Sequence, residues 1–241
     1  MLKYFFLSFF IFSFVMLNAQ IPEKDFFETA EGPLEIYFVG HGSLYFSFMG
    51  KIIHVDPYSK VADYARLPKA DLILITHEHR DHLDTIALNA IMKENTQVLL
   101  TEICFGILHK GEVIRNGEKT EMLGLPIEAV PAYNIVHKRD NGQPFHPKGA
   151  GNGYVIRFAD LKVYVGADTE NIPEMAELQD IDVAFLPMNL PYTMTPEMVA
   201  MAAKSFKPGI LYPYHFGQTN TAELVKLLAD TPEVELRIRK F

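Results

Sequence analysis

A short run of histidines and carboxylates is the part of the sequence best suited to chemistry. Within six residues, directly after an apolar run at residues 72–75, the chain has His77, His79, Asp81 and His82. In an extended segment His77 and His79 project from the same side, because side chains alternate with a period of two. Imidazole nitrogens and carboxylate oxygens are the ligands that zinc takes in proteins, so this run predicts a metal site at the end of a strand.

The run resembles the His-x-His-x-Asp-His motif of the metallo-β-lactamase superfamily, where it also follows an apolar strand. Two later segments are similar to other motifs of that family. Residues 164–169 resemble the strand that ends in Gly-Asp-Thr, with Ala167 standing directly before Asp168 in this chain. Residues 211–215 resemble the late strand that ends in the family's last metal-binding histidine, His215.

The resemblance extends over about residues 34–229 and implies a fold, a four-layer αβ/βα sandwich with the metals at one edge between two sheets. It also implies two metal ions per chain, with zinc expected and Mn²⁺ or Fe²⁺ as alternatives. The ligands carried over by position are His77 and His79 for the first metal, Asp81, His82 and His215 for the second, and Asp168 as the bridge between them.

One histidine of the first metal has no direct counterpart. In one branch of the family it occurs as Pro-Ala-x-His, whereas this chain has Asn134 at the last of these positions, and asparagine is a poor zinc ligand. His146 is the preferred candidate, because the Pro and Gly residues around it fix the backbone near a site. His137 is the alternative, and a weak or empty first position is the remaining one.

Four more residues are predicted to lie beside the ligands or against a substrate. The resemblance places His41 near the metals, although an ordinary loop histidine fits its context equally well. Asp56 fits a carboxylate that orients a ligand imidazole, or a turn residue before a proline. Asn134 and Tyr192 are the other two, and the segment around Tyr192 could equally be a plain lead-in to a helix.

The expected activity is hydrolysis of an ester, lactone or phosphodiester bond in a small molecule by a hydroxide that bridges the two metals. Asp81 would also orient the water or pass its proton to the leaving group. True β-lactamases of the superfamily commonly have a cysteine where this chain has Asp168, so that activity is an alternative, beside a metal-binding protein without catalysis. The iron-dependent redox branch has a His-x-Glu-x-Asp pattern, which this chain lacks.

The elements that must position these residues alternate between strands and helices in both halves of the chain. Short apolar runs separated by Gly, Pro and Asn predict strands, and helical spacing predicts helices at residues 83–93, 196–206 and 221–229. We therefore expect an α/β fold in which two mixed sheets pack face to face with helices outside. Strands are predicted at residues 34–39, 44–48, 51–55, 71–76, 97–101, 128–130, 154–158, 162–165, 183–186 and 209–212.

The first 19 residues have the pattern of a secretory signal peptide, with Lys3, an apolar run at residues 4–17 and a small-residue ending at Ala19. A retained membrane anchor is the weaker alternative, because the apolar run is shorter than the roughly 20 residues that span a bilayer. Residues 20–241 are predicted to form a single domain, exported to the periplasm or cell envelope, without a stable membrane span after cleavage.

The composition narrows the partners and the chemistry further. A formal net charge of −8 argues against binding to nucleic acid, since such proteins concentrate Lys and Arg on one face. Cys104 is the only cysteine, which excludes an internal disulfide and a Cys-rich zinc site, and we expect it to be a buried core residue. The sequence indicates nothing about the oligomeric state.

Overall fold

The computed structural model describes residues 22–241, whose strands form two seven-stranded sheets. In the first sheet the strands follow chain order, with antiparallel pairing up to β4 and parallel pairing from β4 onward. These strands are β1 (Glu23–Phe27), β2 (Leu34–Gly40), β3 (Ser43–Phe48), β4 (Lys51–Val55), β5 (Leu72–Leu74), β6 (Gln97–Leu100) and β7 (Glu112–Val113).

The second sheet has the same plan of three antiparallel pairings followed by three parallel ones. Its strands are β8 (Lys119–Met122), β9 (Leu125–Ala132), β10 (Gly151–Phe158), β11 (Leu161–Val165), β12 (Val183–Pro187), β13 (Ile210–Tyr214) and β14 (Glu235–Leu236). Parallel strands bring their carboxyl ends to the same edge of a sheet, so loops that follow them collect there.

Four α-helices connect these strands among the described residues: α1 (Thr85–Ile91), α2 (Glu102–Leu108), α3 (Pro196–Phe206) and α4 (Thr221–Leu227). Two short 3₁₀ helices lie at Tyr64–Arg66 and Pro173–Glu177. Side-chain caps explain where the helices begin. Asp84 accepts hydrogen bonds from the first amides of α1, and Thr195 caps α3 with a proline at its first position.

Alternating side chains divide the interior into layers. In β12, Phe185 packs between the two sheets, whereas its neighbour Leu186 packs in the cluster that includes the buried side chains of α3. In β5, Leu74 points between the sheets and Ile73 toward the cluster that contains α1. The resulting order of helix, sheet, sheet and helix confirms the predicted αβ/βα sandwich.

Several predicted elements need correction. The helix predicted at residues 83–93 is shorter, because Asp84 is its cap, and β5 covers only part of the strand predicted at residues 71–76. The prediction missed α2, in which Ile103, Phe105 and Ile107 are apolar although exposed, so the sequence shows no contrast between a buried and an exposed face. It also missed β1, β7, β8 and β14, of which the two-residue strands β7 and β14 are too short to show a period.

Two further expectations concern the chain ends and the cysteine. The predicted signal peptide at residues 1–19 lies outside the described residues. None of the helices within residues 22–241 is long and apolar enough to cross a membrane. Cys104 is buried, as expected, and burial raises the pKa of its thiol to about 12, so it is not a reactive thiolate at neutral pH.

Candidate metal centre

The predicted ligands come from four separate segments that meet at one edge of the two sheets. The histidine run follows the short strand β5, Asp168 follows β11 and His215 follows β13. His146 is different, since it lies in the long irregular loop between β9 and β10. We refer to the place where these side chains meet as the metal centre.

Four side chains form a first ligand group, whose ligand atoms all lie within 4.8 Å of one another: His77, His79, His146 and Asp168. The Nε2 atom of His77 is 3.1 Å from Nδ1 of His79. The Nε2 atom of His146 is 3.2 Å from Oδ2 of Asp168, and Nε2 of His77 is 3.9 Å from that oxygen. The structure thus brings His146 into the group that the sequence left incomplete.

A second group contains His82, His215 and Asp168. The Nε2 atoms of His82 and His215 are 3.2 Å apart, and each lies 3.6 Å from Oδ1 of Asp168. The Oδ2 atom of Asp81 is 3.7 Å from Nε2 of His82 and 3.5 Å from Nε2 of His215. Of the three side chains carried over for a second metal, His82 and His215 therefore group with Asp168, whereas Asp81 groups with His215 and His41.

The donor atoms fit divalent cations. Two ligands of a tetrahedral zinc ion lie about 3.3 Å apart, given metal–ligand distances near 2.0 Å, and the closest pairs in both groups have this spacing. Within the part of the chain that the structure describes, His146 Nε2 and Asp168 Oδ1 are buried without a hydrogen-bond partner. Buried polar atoms are nearly always satisfied, so these atoms are suited to bind ions.

Charge in the metal centre is concentrated on a few groups. Burial opposes protonation of His82, but Asp168, Asp56 and Asp81 outweigh it and raise the pKa of His82 to about 10. Burial and the neighbouring charge on His82 lower the pKa of His77 well below its usual value. Since a metal binds only neutral imidazole, a cation bound at this position would take the place of the proton on Nε2 of His82.

Asp56 holds His82 in the orientation that a metal ligand needs. Its Oδ2 atom lies 2.8 Å from Nδ1 of His82 and accepts a hydrogen bond of 2.6 Å from the Thr76 hydroxyl, while Oδ1 accepts one from the Thr76 amide. The pairing makes Nδ1 of His82 the donor and leaves Nε2 free to face the metal centre. Asp56 also has a φ of +44°, so it occupies a turn as well.

Replacing Asp56 with asparagine is expected to weaken metal binding about 10- to 100-fold, because the partner that fixes a ligand imidazole is lost. The free energy of unfolding should fall by about 1–3 kcal/mol, since the NH2 group that replaces one carboxylate oxygen cannot accept from its buried donors. Chelator competition and chemical denaturation measure the two effects. Asp71→Asn is the matched control, because Asp71 also accepts an amide hydrogen bond in this sheet. Unchanged metal affinity in Asp56→Asn would contradict the assignment.

His146 is held by Asn134. The Oδ1 atom of Asn134 lies 2.6 Å from Nδ1 of His146 and accepts a hydrogen bond of 3.0 Å from the backbone amide of His146. The backbone amide of Asn134 donates in turn to the His146 carbonyl at 2.9 Å. Asn134 therefore orients the imidazole of a candidate ligand and lies beside the candidate ligands, not among them.

His137, the alternative ligand, lies elsewhere. Its Nδ1 atom is 2.6 Å from Oε1 of Glu170, a buried carboxylate that the sequence reasoning missed. Glu170 also accepts hydrogen bonds of 2.6 Å from the amides of Ile135, Val136 and His137, and one of 3.1 Å from Asn134 Nδ2. Its position two residues after Asp168 was the one signal that the sequence offered.

The remaining predicted residues lie at the rim of the metal centre. His41 Nε2 is 2.8 Å from Asp81 Oδ2, and the centroids of the His41 and His215 rings are 3.7 Å apart. Tyr192 is farther out, and its carbonyl accepts a hydrogen bond from Asn134. Gly42 was not singled out, yet a Cβ atom there would lie 3.0 Å from both the His82 and His215 rings. A side chain at this position would crowd both rings, so a glycine fits it best.

Comparisons with known proteins agree with this geometry. A family model described as a beta-lactamase superfamily domain matches residues 35–215. A UPF0173 metal-dependent hydrolase of Thermococcus onnurineus is 30% identical over 219 residues, which cover 83% of this chain and 95% of the relative.

Solved structures give the same picture. A crystal structure from Parabacteroides distasonis, of a protein assigned to the metal-dependent hydrolases, is 47% identical with a TM-score of 0.87, over 91% of this chain and 99% of that one. Igni18, a metallo hydrolase of Ignicoccus hospitalis, is 23% identical with a TM-score of 0.71, over 86% of this chain and 95% of that one. The likeness to Igni18 bears on the fold alone.

Proposed function

Since this chain belongs to the beta-lactamase superfamily and is a metal-dependent hydrolase of that fold, we propose that it uses two divalent cations, with zinc expected, to hydrolyse a small-molecule ester, lactone or phosphodiester. The proposal of two ions rests on the placement of the two carboxylate oxygens of Asp168. Its Oδ2 atom faces His146 and His77, and its Oδ1 atom faces the other group. A carboxylate with one oxygen toward each group is suited to bridge them.

Cations bound there would supply a water of lowered pKa and polarise the substrate oxygen. The chain itself supplies orientation. Asp81 has a side chain that is 33% exposed, so it lies on the open side of the metal centre, where substrate must enter. His41 keeps the Asp81 carboxylate in place from the rim. Asp81 then accepts a hydrogen bond from the attacking water and can hold its proton for the leaving group.

The geometry favours this activity over the two alternatives. A metal-binding protein without catalysis would be favoured if no histidine completed the first group, but His146 lies 3.2 Å from Asp168 there. A true β-lactamase is less well supported, because the bridging position has Asp168 in place of the cysteine that is common in those enzymes. We therefore keep the ester, lactone and phosphodiester classes as the proposed substrates.

The test measures metal content and hydrolysis on the same sample. Plasma mass spectrometry of the purified protein is expected to give two metals per chain. A screen of model phosphodiesters, lactones and a chromogenic β-lactam should find turnover in one of the first two classes. Removal of the metals with a chelator should abolish turnover and lower the melting temperature, because ligands of the native state stabilise it. Addition of zinc should restore both.

Each part of the proposal can fail separately. One metal per chain with full turnover would contradict the dinuclear centre but not the hydrolase. Turnover of the β-lactam alone would replace the proposed substrate classes. Less than one metal per chain and no turnover after zinc addition would contradict the proposal as a whole.

A further inference from the structure

Four large apolar side chains are exposed on the loop after β9, which carries His146, and on the loop before α3. They are Ile135 (45% exposed), Val136 (62%), Leu190 (42%) and Tyr192 (45%). We call these four residues the apolar lip. Single exposed apolar residues are ordinary on protein surfaces, whereas a group of them beside a polar site indicates a binding surface.

The apolar lip is joined to the metal centre by direct contacts. Asn134, which orients His146 from one side, also donates a hydrogen bond of 2.9 Å to the carbonyl of Tyr192. Phe145 precedes His146 in the chain, and its ring packs edge-on against the Tyr192 ring with centroids 5.1 Å apart. The two loops are thus held together by residues that precede or orient His146.

The lip is also held in its exposed position. The amides of Ile135 and Val136 each donate a hydrogen bond of 2.6 Å to Glu170, which is buried. Because these amides point inward to the same carboxylate, the two aliphatic side chains remain toward solvent. A buried carboxylate with this many donors fixes the loop before any ligand arrives, which reduces the entropy that binding would otherwise lose.

We infer that the apolar lip binds an apolar portion of the substrate, an aliphatic chain or an aromatic ring, while the bond to be hydrolysed lies at the metal centre. The inference rests on the proposed function, whose substrate it narrows to amphipathic esters and phosphodiesters. Continuity with the metal centre is the reason for choosing substrate as the occupant. The loop that presents Ile135 and Val136 also carries Asn134 and His146, so the lip is continuous with the first ligand group.

The test uses a series of alkylphosphonates with methyl, butyl and octyl chains, which carry an anionic head for the metals and cannot be hydrolysed. Binding to the zinc-loaded protein is measured by calorimetry. Affinity is expected to rise about twofold per methylene that reaches the lip, and about tenfold or more from methyl to octyl, because burying a methylene against a half-open surface is favourable. In each of the single variants Ile135→Ser and Val136→Ser, the affinity for octylphosphonate should exceed that for methylphosphonate by less than about threefold.

Val225→Ser is the matched control, since Val225 is also an exposed valine but lies in α4. It should keep the full chain-length dependence. Equal affinity for methyl and octyl in the unmodified protein, or an unchanged dependence in both lip variants, would overturn the inference while leaving the proposed function intact. Self-association that the lip variants abolish would also overturn it, because the lip would then be a contact between copies. Absent metal and turnover would contradict the proposed function instead.

Discussion

Replacing Asp168 with alanine is expected to remove both metals and to lower kcat/KM at least about a thousandfold, since metal ions contribute several kcal/mol to the transition state. The reason is the position of this carboxylate. It is the residue that both ligand groups contain, and its side chain is buried. Metal counting by plasma mass spectrometry and steady-state kinetics on the substrate class found by screening give the two readouts.

Folding must be separated from metal loss in that experiment. Asp168→Asn preserves the shape of the side chain, so circular dichroism of this variant without metal should match that of the unmodified protein without metal. Asp182→Ala is the control for carboxylate removal, because Asp182 directly precedes β12 of the same sheet and its exposed carboxylate accepts a hydrogen bond from the Lys162 amide. Two metals retained in Asp168→Ala would show that the bridge is not needed to hold them.

The run from His77 to His82 could be interpreted from the sequence because its chemistry is local. Three imidazoles and two carboxylates within six residues are typical of a metal site, and the period of a strand already places His77 and His79 together. Asp168 and His215 were different. Their neighbours in sequence are apolar strand residues, so only the resemblance to a known family assigned them, and the fold then brought them within 3.6 Å.

In the loop between β9 and β10 the positions of the side chains could not be predicted from the sequence. No periodicity indicates the direction of a side chain in an irregular loop, so His137 and His146 remained open as ligands. The structure separates them through two polar residues whose partners are distant in the chain. Glu170 lies beside His137, and Asn134 lies beside His146. Neither pairing can be read from spacing, because each depends on the position of the whole loop.

Asp56 gives a second example. From the sequence, a turn before a proline and a contact with a ligand imidazole appeared as alternatives. In the structure both are present, because the left-handed backbone at Asp56 turns its carboxylate toward Thr76 and His82. The turn aims the carboxylate, and the pairing with a buried imidazole explains why the strained conformation is tolerated.

The pair His146→Ala and His137→Ala is expected to separate the two histidines most sharply. In His146→Ala the first group loses one of its three imidazoles, so affinity for the first metal should fall at least about a hundredfold, given that losing even a partner of a ligand costs 10- to 100-fold. The second metal should remain, since His82, His215 and Asp168 form a group without His146. Chelator competition with one and two equivalents of zinc resolves the two positions.

His137→Ala serves as the control in the same loop, because His137 contacts Glu170 and none of the ligand groups. It should bind two metals with affinities within about threefold of the unmodified protein, a difference of about 0.6 kcal/mol. If instead His137→Ala loses a metal and His146→Ala keeps both, the loop must rearrange on metal binding, and the Asn134–His146 pairing would belong only to the metal-free protein. Loss of one metal in both variants would mean that Glu170 fixes the ligand through His137 as well as through Asn134.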